Sequence, residues 1–403
     1  MGRTRRVAAL ATAGATGAAL LAFAIGTSSA ATQVDPASRA VEYLQGQQSG
    51  SDGSIPVGAS TDAVSEEYAI GAAVAGYDPN ALRHGSGPSV MAYLAAHAAG
   101  ACTSAGACGE LLQAVAAAGL NPAAFGGVDL LTTLNGFYSA GSGVFGNGEA
   151  FTQALAIQGL VAAHQAVPAA ALRHLVAAQD SDGGWDYLLI KDDPNGPTNF
   201  DTSDTNSTAM VLMALDAAGM HARDRSALAW LRTQQDGDGG FPYQAGSGSD
   251  PDSTALVLQA LLATGQNPQA PTWAPGGHGP LAELIATQGS SGGFTFPGNP
   301  APDAFTTAQV PPALEMEPYP ARVVFTHGFT PATEAHAATA SLLYLQGQQS
   351  GSDGSIPVGA STDAVSEEYA IGAAAAGYDP NALRHGSGPS VMAYLAAHAA
   401  GAC

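Results

Sequence analysis

The sequence predicts an all-α fold built from helix pairs, and three observations carry that prediction. A glycine-rich turn recurs as Gln179-Asp180-Ser181-Asp182-Gly183-Gly184-Trp185, Gln235-Asp236-Gly237-Asp238-Gly239-Gly240-Phe241 and Gln288-Gly289-Ser290-Ser291-Gly292-Gly293-Phe294, the leading glutamines standing 56 and 53 residues apart. Each turn lies between two amphipathic stretches, and a period of about fifty residues is the one expected of stacked helical repeats. The stretches are rich in Ala, which favours helix and lets neighbouring helices approach closely.

Taken in order, six pairs are expected. Their first helices begin near Thr61, Gly109, Glu149, Thr205, Asp252 and Thr306, and their second helices near Ser89, Val128, Pro168, Ala222, Gly279 and Thr333. Polar caps open the first helices: Asn206-Ser207-Thr208 precedes Met210-Val211-Leu212, and Asp252-Ser253-Thr254 precedes Leu256-Val257-Leu258. Trp230, Leu231 and Gln235 mark the end of one second helix, and Gly239-Gly240 supply the sharp turn that stops it.

The 403 residues carry 12 Lys+Arg against 33 Asp+Glu, a formal net charge of −21. A surface this acidic repels phosphate, so nucleic acid is excluded as a partner. With 11% charged and 46% hydrophobic residues the chain is neither a charge-solvated disordered polymer nor a heptad coiled coil. Arg3, Arg5 and Arg6 precede an apolar stretch from Val7 to about Ile25, and Ser28-Ser29-Ala30 supplies small residues for cleavage. Residues 1–30 therefore read as a secretory signal peptide in preference to a membrane anchor, with a weak twin-arginine character at Thr4-Arg5-Arg6. No later apolar run has the length of a membrane span. The mature protein is expected to be secreted.

Outside the cytoplasm, Cys102 and Cys108 read as a disulfide closing the short loop Thr103 to Ala107, since no His or further Cys stands nearby at zinc-ligand spacing. Cys403 is left over. Residues 344–403 copy residues 43–102 with one change, Val74 becoming Ala375, at an offset of 301 residues. Residues 347–403 are thus a duplicate of 46–102, appended to a repeat domain over 31–346. A dimer through the duplicated repeat, or through the Cys403 thiol, follows as an expectation.

On these turns the sequence resembles the terpenoid cyclase and protein prenyltransferase family, whose repeats end in Q-x-x-x-G-x-W. Gln179, Gly183 and Trp185 match fully; Gln235, Gly239 and Phe241, like Gln288, Gly292 and Phe294, match with phenylalanine for tryptophan. A longer variant without the aromatic runs from Gln48 to Ile55. The resemblance implies an α/α toroid of six inner helices inside six outer ones, with the extra near-identical C-terminal repeat left over. It also implies a structural role for the motif: Gln serving backbone groups at helix ends, the aromatic stacking over it. In such a ring one lap returns to its start, so the C-terminal copy competes for the place of the first.

The same ring would gather the inner-helix N-termini at one mouth, where Asp62, Glu66, Glu67, Glu149, Asp201, Asp204, Asp250, Asp252 and Asp303 fall. Carboxylates there serve as helix caps, and Glu67, Glu149 and Asp204 are also candidate ligand contacts. Asp250-Pro251-Asp252-Ser253-Thr254-Ala255 resembles the D-x-D-D-T-A acid motif of class II terpene cyclases, which would make Asp252, assisted by Asp250, the general acid. Ser253 departs from that motif, Asp204-Thr205-Asn206-Ser207-Thr208-Ala209 repeats its shape, and aromatic residues are only 7% of the chain, few for guiding a cation. One ring also falls short of the two-domain cyclases.

Prenyl transfer is disfavoured because neither Cys102 nor Cys108 has an Asp two residues before it, and Asp180-x-Asp182 and Asp236-x-Asp238 lack the remaining ligands of a calcium loop. Cys108-Gly109-Glu110 resembles a thioester motif, but Leu111 stands where the acyl-donating Gln is required. No cofactor or metal is expected. The reading is a secreted toroid that binds a small hydrophobic or corrinoid-like ligand, as the similar rings of secreted corrinoid carriers do; the alternatives are class II terpene cyclisation by Asp252 and a polysaccharide lyase or hydrolase.

Overall fold

The computed structural model describes residues 35–192 and 202–320, together with Met392, Tyr394 and Leu395. The expected signal peptide, Asp201, the helix expected near Thr333 and nearly all of the duplicated copy lie outside the described residues. The described residues from Pro36 to Pro320 form an α/α ring. Its inner helices are α2 (Thr61–Val74), α4 (Ala105–Ala117), α6 (Ala150–Ala162), α8 (Thr205–Ala217) and α10 (Pro251–Ala263), and the short α12 (Ala304–Gln309) and α13 (Pro311–Leu314) fill the sixth inner place. Each packs against the next, and α12 and α13 pack back against α2, which closes the circle. Outside lie α1 (Pro36–Gln47), α3 (Val90–Ala101), α5 (Leu130–Gly136), α7 (Ala169–Ala177), α9 (Asp224–Gln234) and α11 (Pro280–Thr287).

The two layers differ as their sequences require. Along α8 every residue from Ser207 to Leu215 is buried, so the helix is apolar on nearly all sides. Helix α9 buries only Ala227, Trp230 and Leu231 and turns Arg225 and Arg232 outward. Inner helices start where a polar cap was expected: the Asp204, Asp250 and Asp303 side chains accept the backbone N–H of Ser207, Ser253 and Thr306 at 2.7–2.8 Å. Helix α4 starts earlier than expected. Ser104 accepts the N–H of Ala107, so most of the loop expected over 103–107 is a cap and first helical turn.

The motif residues build one repeated joint. Gln179 Nε2 donates to Gly183 O (2.7 Å) and to Ser226 Oγ (2.9 Å) at the start of α9, tying its own turn to the next outer helix. Gln235 does the same to Gly239 O and to Trp273 O, just ahead of α11. The variant motif works equally, Gln48 reaching Gly53 O and Leu82 O. The glycines allow the approach: Gly183 has φ +103°, and a Cβ there would stand 2.7 Å from Ser226 O. The aromatics bury fully, and the N–H groups of Trp185, Phe241 and Phe294 donate to the hydroxyls of Thr208, Thr254 and Thr307. Trp185 Nε1 donates to Leu175 O on α7, so the indole is anchored to the preceding outer helix.

A further joint escaped the motif because its glutamine comes from elsewhere. Gly143-Val144-Phe145, at the end of a small hairpin pairing Tyr138–Ser139 with Val144–Phe145, supplies the glycine and the buried aromatic. Gln153, one turn into α6, takes the N–H of Phe145 on Oε1 and donates from Nε2 to Gly143 O and Ala171 O. One amide thus serves the functions that Gln179 and Thr208 divide between them.

The sixth outer place is taken by α1: Gln288 donates to Gly292 O and to Pro36 O, and Arg39 donates to Gly289 O. Residues 36–101 close the ring. The α3–α4 junction lacks the glycine-rich turn, and there Cys102 and Cys108 stand side by side with their Cα atoms 4.1 Å apart. No helix among the described residues is long and apolar enough to cross a membrane.

Candidate active site at the mouth of the ring

Inner and outer helices alternate along the chain from α1 to α12, so the inner helices run the same way and present their N-termini together. The capping residues there have defined work. Asp204 caps α8, and its carboxyl is pushed up to about 6 by burial, against the hydrogen bonds of Ser207. Asp250 caps α10, held by the N–H and Oγ of Ser253 at 2.7 and 2.8 Å, and burial raises it as well. Ser253, which replaces an aspartate of the cyclase motif, is the residue that fixes Asp250. Glu149 precedes α6 without capping it and accepts from the Tyr187 hydroxyl at 2.8 Å. Asp62 accepts from the Tyr93 hydroxyl in the same manner.

Asp252 differs from all of these. It occupies the second residue of α10, where the other inner helices place Asp62, Gly106, Phe151, Asn206 and Phe305. It caps nothing, it is 7% exposed, and its Oδ1 has no hydrogen-bond partner. Burial, followed by the neighbouring Asp250 and Asp303 carboxylates, pushes its carboxyl up to about 8. Asp252 is therefore a neutral acid at pH 7. In the parallel stretch from Asp204 to Ala209 the same position is Asn206, so the two stretches share a cap and not an acid.

Three glutamates extend this acidic interior. Glu66 is buried, and its carboxyl is raised well above the usual range by burial and then by Glu110, Asp62 and Glu67. Glu67 is raised by burial, Glu110 and Asp252, which ties α2 and α10 to one electrostatic environment. Glu110 on α4 is pushed up to about 7 by burial. Tyr319, on the segment after α13, is raised by burial and then by Glu67 and Glu110. Glu66 Oε1 and Glu67 Oε2 are buried without hydrogen-bond partners, and among the described residues no cation pairs with any of these carboxyls. They do not converge closely enough to share a metal ion.

Glu110 and Tyr319 were missed as site residues. For Glu110 a signal existed, since Glu66 and Glu110 each stand six residues after the serine that precedes the helix, Ser60 or Ser104. Tyr319 had none, because a proline-rich run has no period to place it. The acidic turns at Asp180 and Asp182 line a separate, open cleft of about 510 Å³ with Trp230 and Gln244. Their carboxylates accept from Ser203 Oγ, and Asp182 also accepts the N–H of Gly184, which is the work of a turn.

Comparison with known proteins places the architecture. No protein-family profile and no curated protein matches the chain. Among solved structures, the type II terpene cyclase MstE from Scytonema in its apo form superposes with a TM-score of 0.50 at 16% identity, covering 69% of this chain and 96% of that one. A crystal structure of a protein from Actinoplanes also gives 0.50, at 15% identity, over 70% of this chain and 98% of that one. The fold is that of the terpene cyclase α/α toroids.

Proposed function

We propose that the ring takes a small hydrophobic, isoprenoid-like olefin and that Asp252 protonates it, in the manner of class II terpene cyclisation. The observation that supports this reading is a buried, unpartnered carboxyl that keeps its proton at neutral pH while every neighbouring cap is otherwise engaged. The proton leaves Asp252 Oδ for the terminal alkene carbon, the cation closes rings along the chain, and loss of a proton ends the reaction. The net change is an isomerisation that consumes no cofactor. Phe151 and Phe305 stand at the same helical position as Asp252 on α6 and α12. Size is no obstacle to this reading, since the match covers 96% of the Scytonema cyclase.

A second reading keeps the ligand and omits the chemistry, because Ser253 stands where that motif has its last carboxylate. Incubating the purified chain with squalene or a geranylgeranyl-bearing arene separates the two. Cyclisation predicts a product of unchanged mass with fewer double bonds, lost in Asp252→Asn and retained in Asp204→Asn. Binding without turnover leaves the second reading, and no binding removes both.

Export and the Cys102–Cys108 disulfide belong to the same proposal. They are supported by the basic, apolar and small-residue order of residues 1–30 and by cysteines meeting at the one inner-helix entry without a joint. Native mass spectrometry of protein from culture medium should find a chain starting near Ala31 and lighter by two hydrogens. A full-length, fully reduced chain would contradict both statements, and a disulfide dimer would assign Cys403 its partner.

A further inference from the structure

At the far end of α8, outside the ring interior, the repeat pattern breaks in a way that its turn does not require. Inner helices α2, α4, α8 and α10 all end on a left-handed glycine (Gly76, Gly119, Gly219 and Gly265), and two residues later comes Asp78, Asn121, His221 or Asn267. Asp78, Asn121 and Asn267 close the next turn by accepting the N–H of Asn80, Ala123 and Gln269 at 2.9–3.0 Å. His221 replaces that side-chain cap. Three residues before the glycine the other helices carry Ala73, Ala116 and Leu262, whereas α8 carries Asp216. Two departures from the repeat therefore meet at one point.

The geometry there is that of a chelate. His221 Nδ1 lies 2.9 Å from Asp216 Oδ1 and 3.4 Å from Asp224 Oδ2, and the three ligand atoms all lie within 4.8 Å of one another. Four-coordinate zinc, with bonds of about 2.0–2.1 Å to nitrogen and oxygen, sets its donor atoms roughly 3.3 Å apart. The carboxylates are mostly buried, with 12% and 19% of their side chains exposed, while the ring is 60% exposed, so a cation could enter from solvent and keep water in its open positions. Asp224 Oδ1 is buried without a partner, and the carbonyl end of α8 adds negative potential.

We propose that Asp216, His221 and Asp224 bind a divalent transition-metal cation, zinc being the best match to one imidazole and two carboxylates. The site clips the end of α8 to the start of α9 and is independent of the acid at the ring mouth. Titrating the tag-free full-length chain with zinc chloride by calorimetry should reveal one equivalent that is absent, or weakened more than about tenfold, in His221→Ala and in Asp216→Asn. The same equivalent should raise the melting temperature of the parent and leave that of His221→Ala unchanged. Zinc uptake that is equal in parent and both variants overturns the proposal. Calcium bound as tightly as zinc overturns the choice of ligand.

Discussion

Gly109→Ala should destabilise the protein by at least about 3 kcal/mol, although it adds a single methyl to a helix. Helices α4 and α6 touch backbone to backbone. A Cβ on Gly109 would stand 2.3 Å from Leu155 O, and one on Gly159 would stand 2.5 Å from Gly109 O. These are carbonyl groups inside regular helices, so neither can swing aside; the helices must separate and lose the packing of Leu111, Leu112 and Ile157. Gly100→Ala in α3 is the control, since its Cβ would meet nothing within 4 Å, and it should gain about 0.5–1 kcal/mol from helix propensity. Chemical denaturation of the three proteins checks the pair. A Gly109→Ala protein as stable as the parent would mean that α4 and α6 are not in contact as described.

The second large effect concerns pH. The carboxyls of Asp252 and Glu110 sit near 8 and 7 in the folded protein, Glu66 and Glu67 are raised as well, and each returns to an ordinary carboxylate value on unfolding. Between about pH 4 and pH 8 the native state therefore holds more protons than the unfolded chain, and stability must fall as pH rises through that window. The melting temperature should be higher at pH 5 than at pH 8 by roughly 5 °C or more. Asp252→Asn keeps the shape of the neutral acid and removes the cost of ionising it, so it should melt above the parent at pH 8 and close to it at pH 5. This separates the buried acid from general repulsion in an acidic chain, which the variant barely changes. A melting temperature that rises towards pH 8 would show that these carboxyls are solvated.

The repeat pitch made the architecture legible. Recurring glutamine, glycine and aromatic residues located the helix pairs, and the polar runs Asn206-Ser207-Thr208 and Asp252-Ser253-Thr254 marked two inner-helix starts, whose capping side chains are Asp204 and Asp250 just ahead of them. Less was legible where partners are distant in the chain. Nothing local tells Pro36 that it will meet Gln288, and Gly143-Val144-Phe145 lacks its glutamine because Gln153 reaches back from the next helix. The site was legible only in outline. Sequence placed Asp250, Asp252 and Asp204 at helix starts, but distinguishing caps from an acid needs the hydrogen bonds, which engage Asp204 and Asp250 and leave Asp252 Oδ1 alone.

The seating of α1 also sets a timetable. Pro36 is 252 residues from the amide that receives it. At about 5–20 residues per second of synthesis, α1 is made on the order of ten to fifty seconds before Gln288 exists. Until then the growing chain is an open arc with an exposed inner wall at each end, and closure is the last and most non-local step of its folding. The first copy of the duplicated segment is by then already waiting, while residues 344–403 are still to be translated. Of two nearly identical sequences, the earlier one reaches the vacancy first by order of birth, and it alone is preceded by Arg39, whose counterpart at the same offset is Ala340.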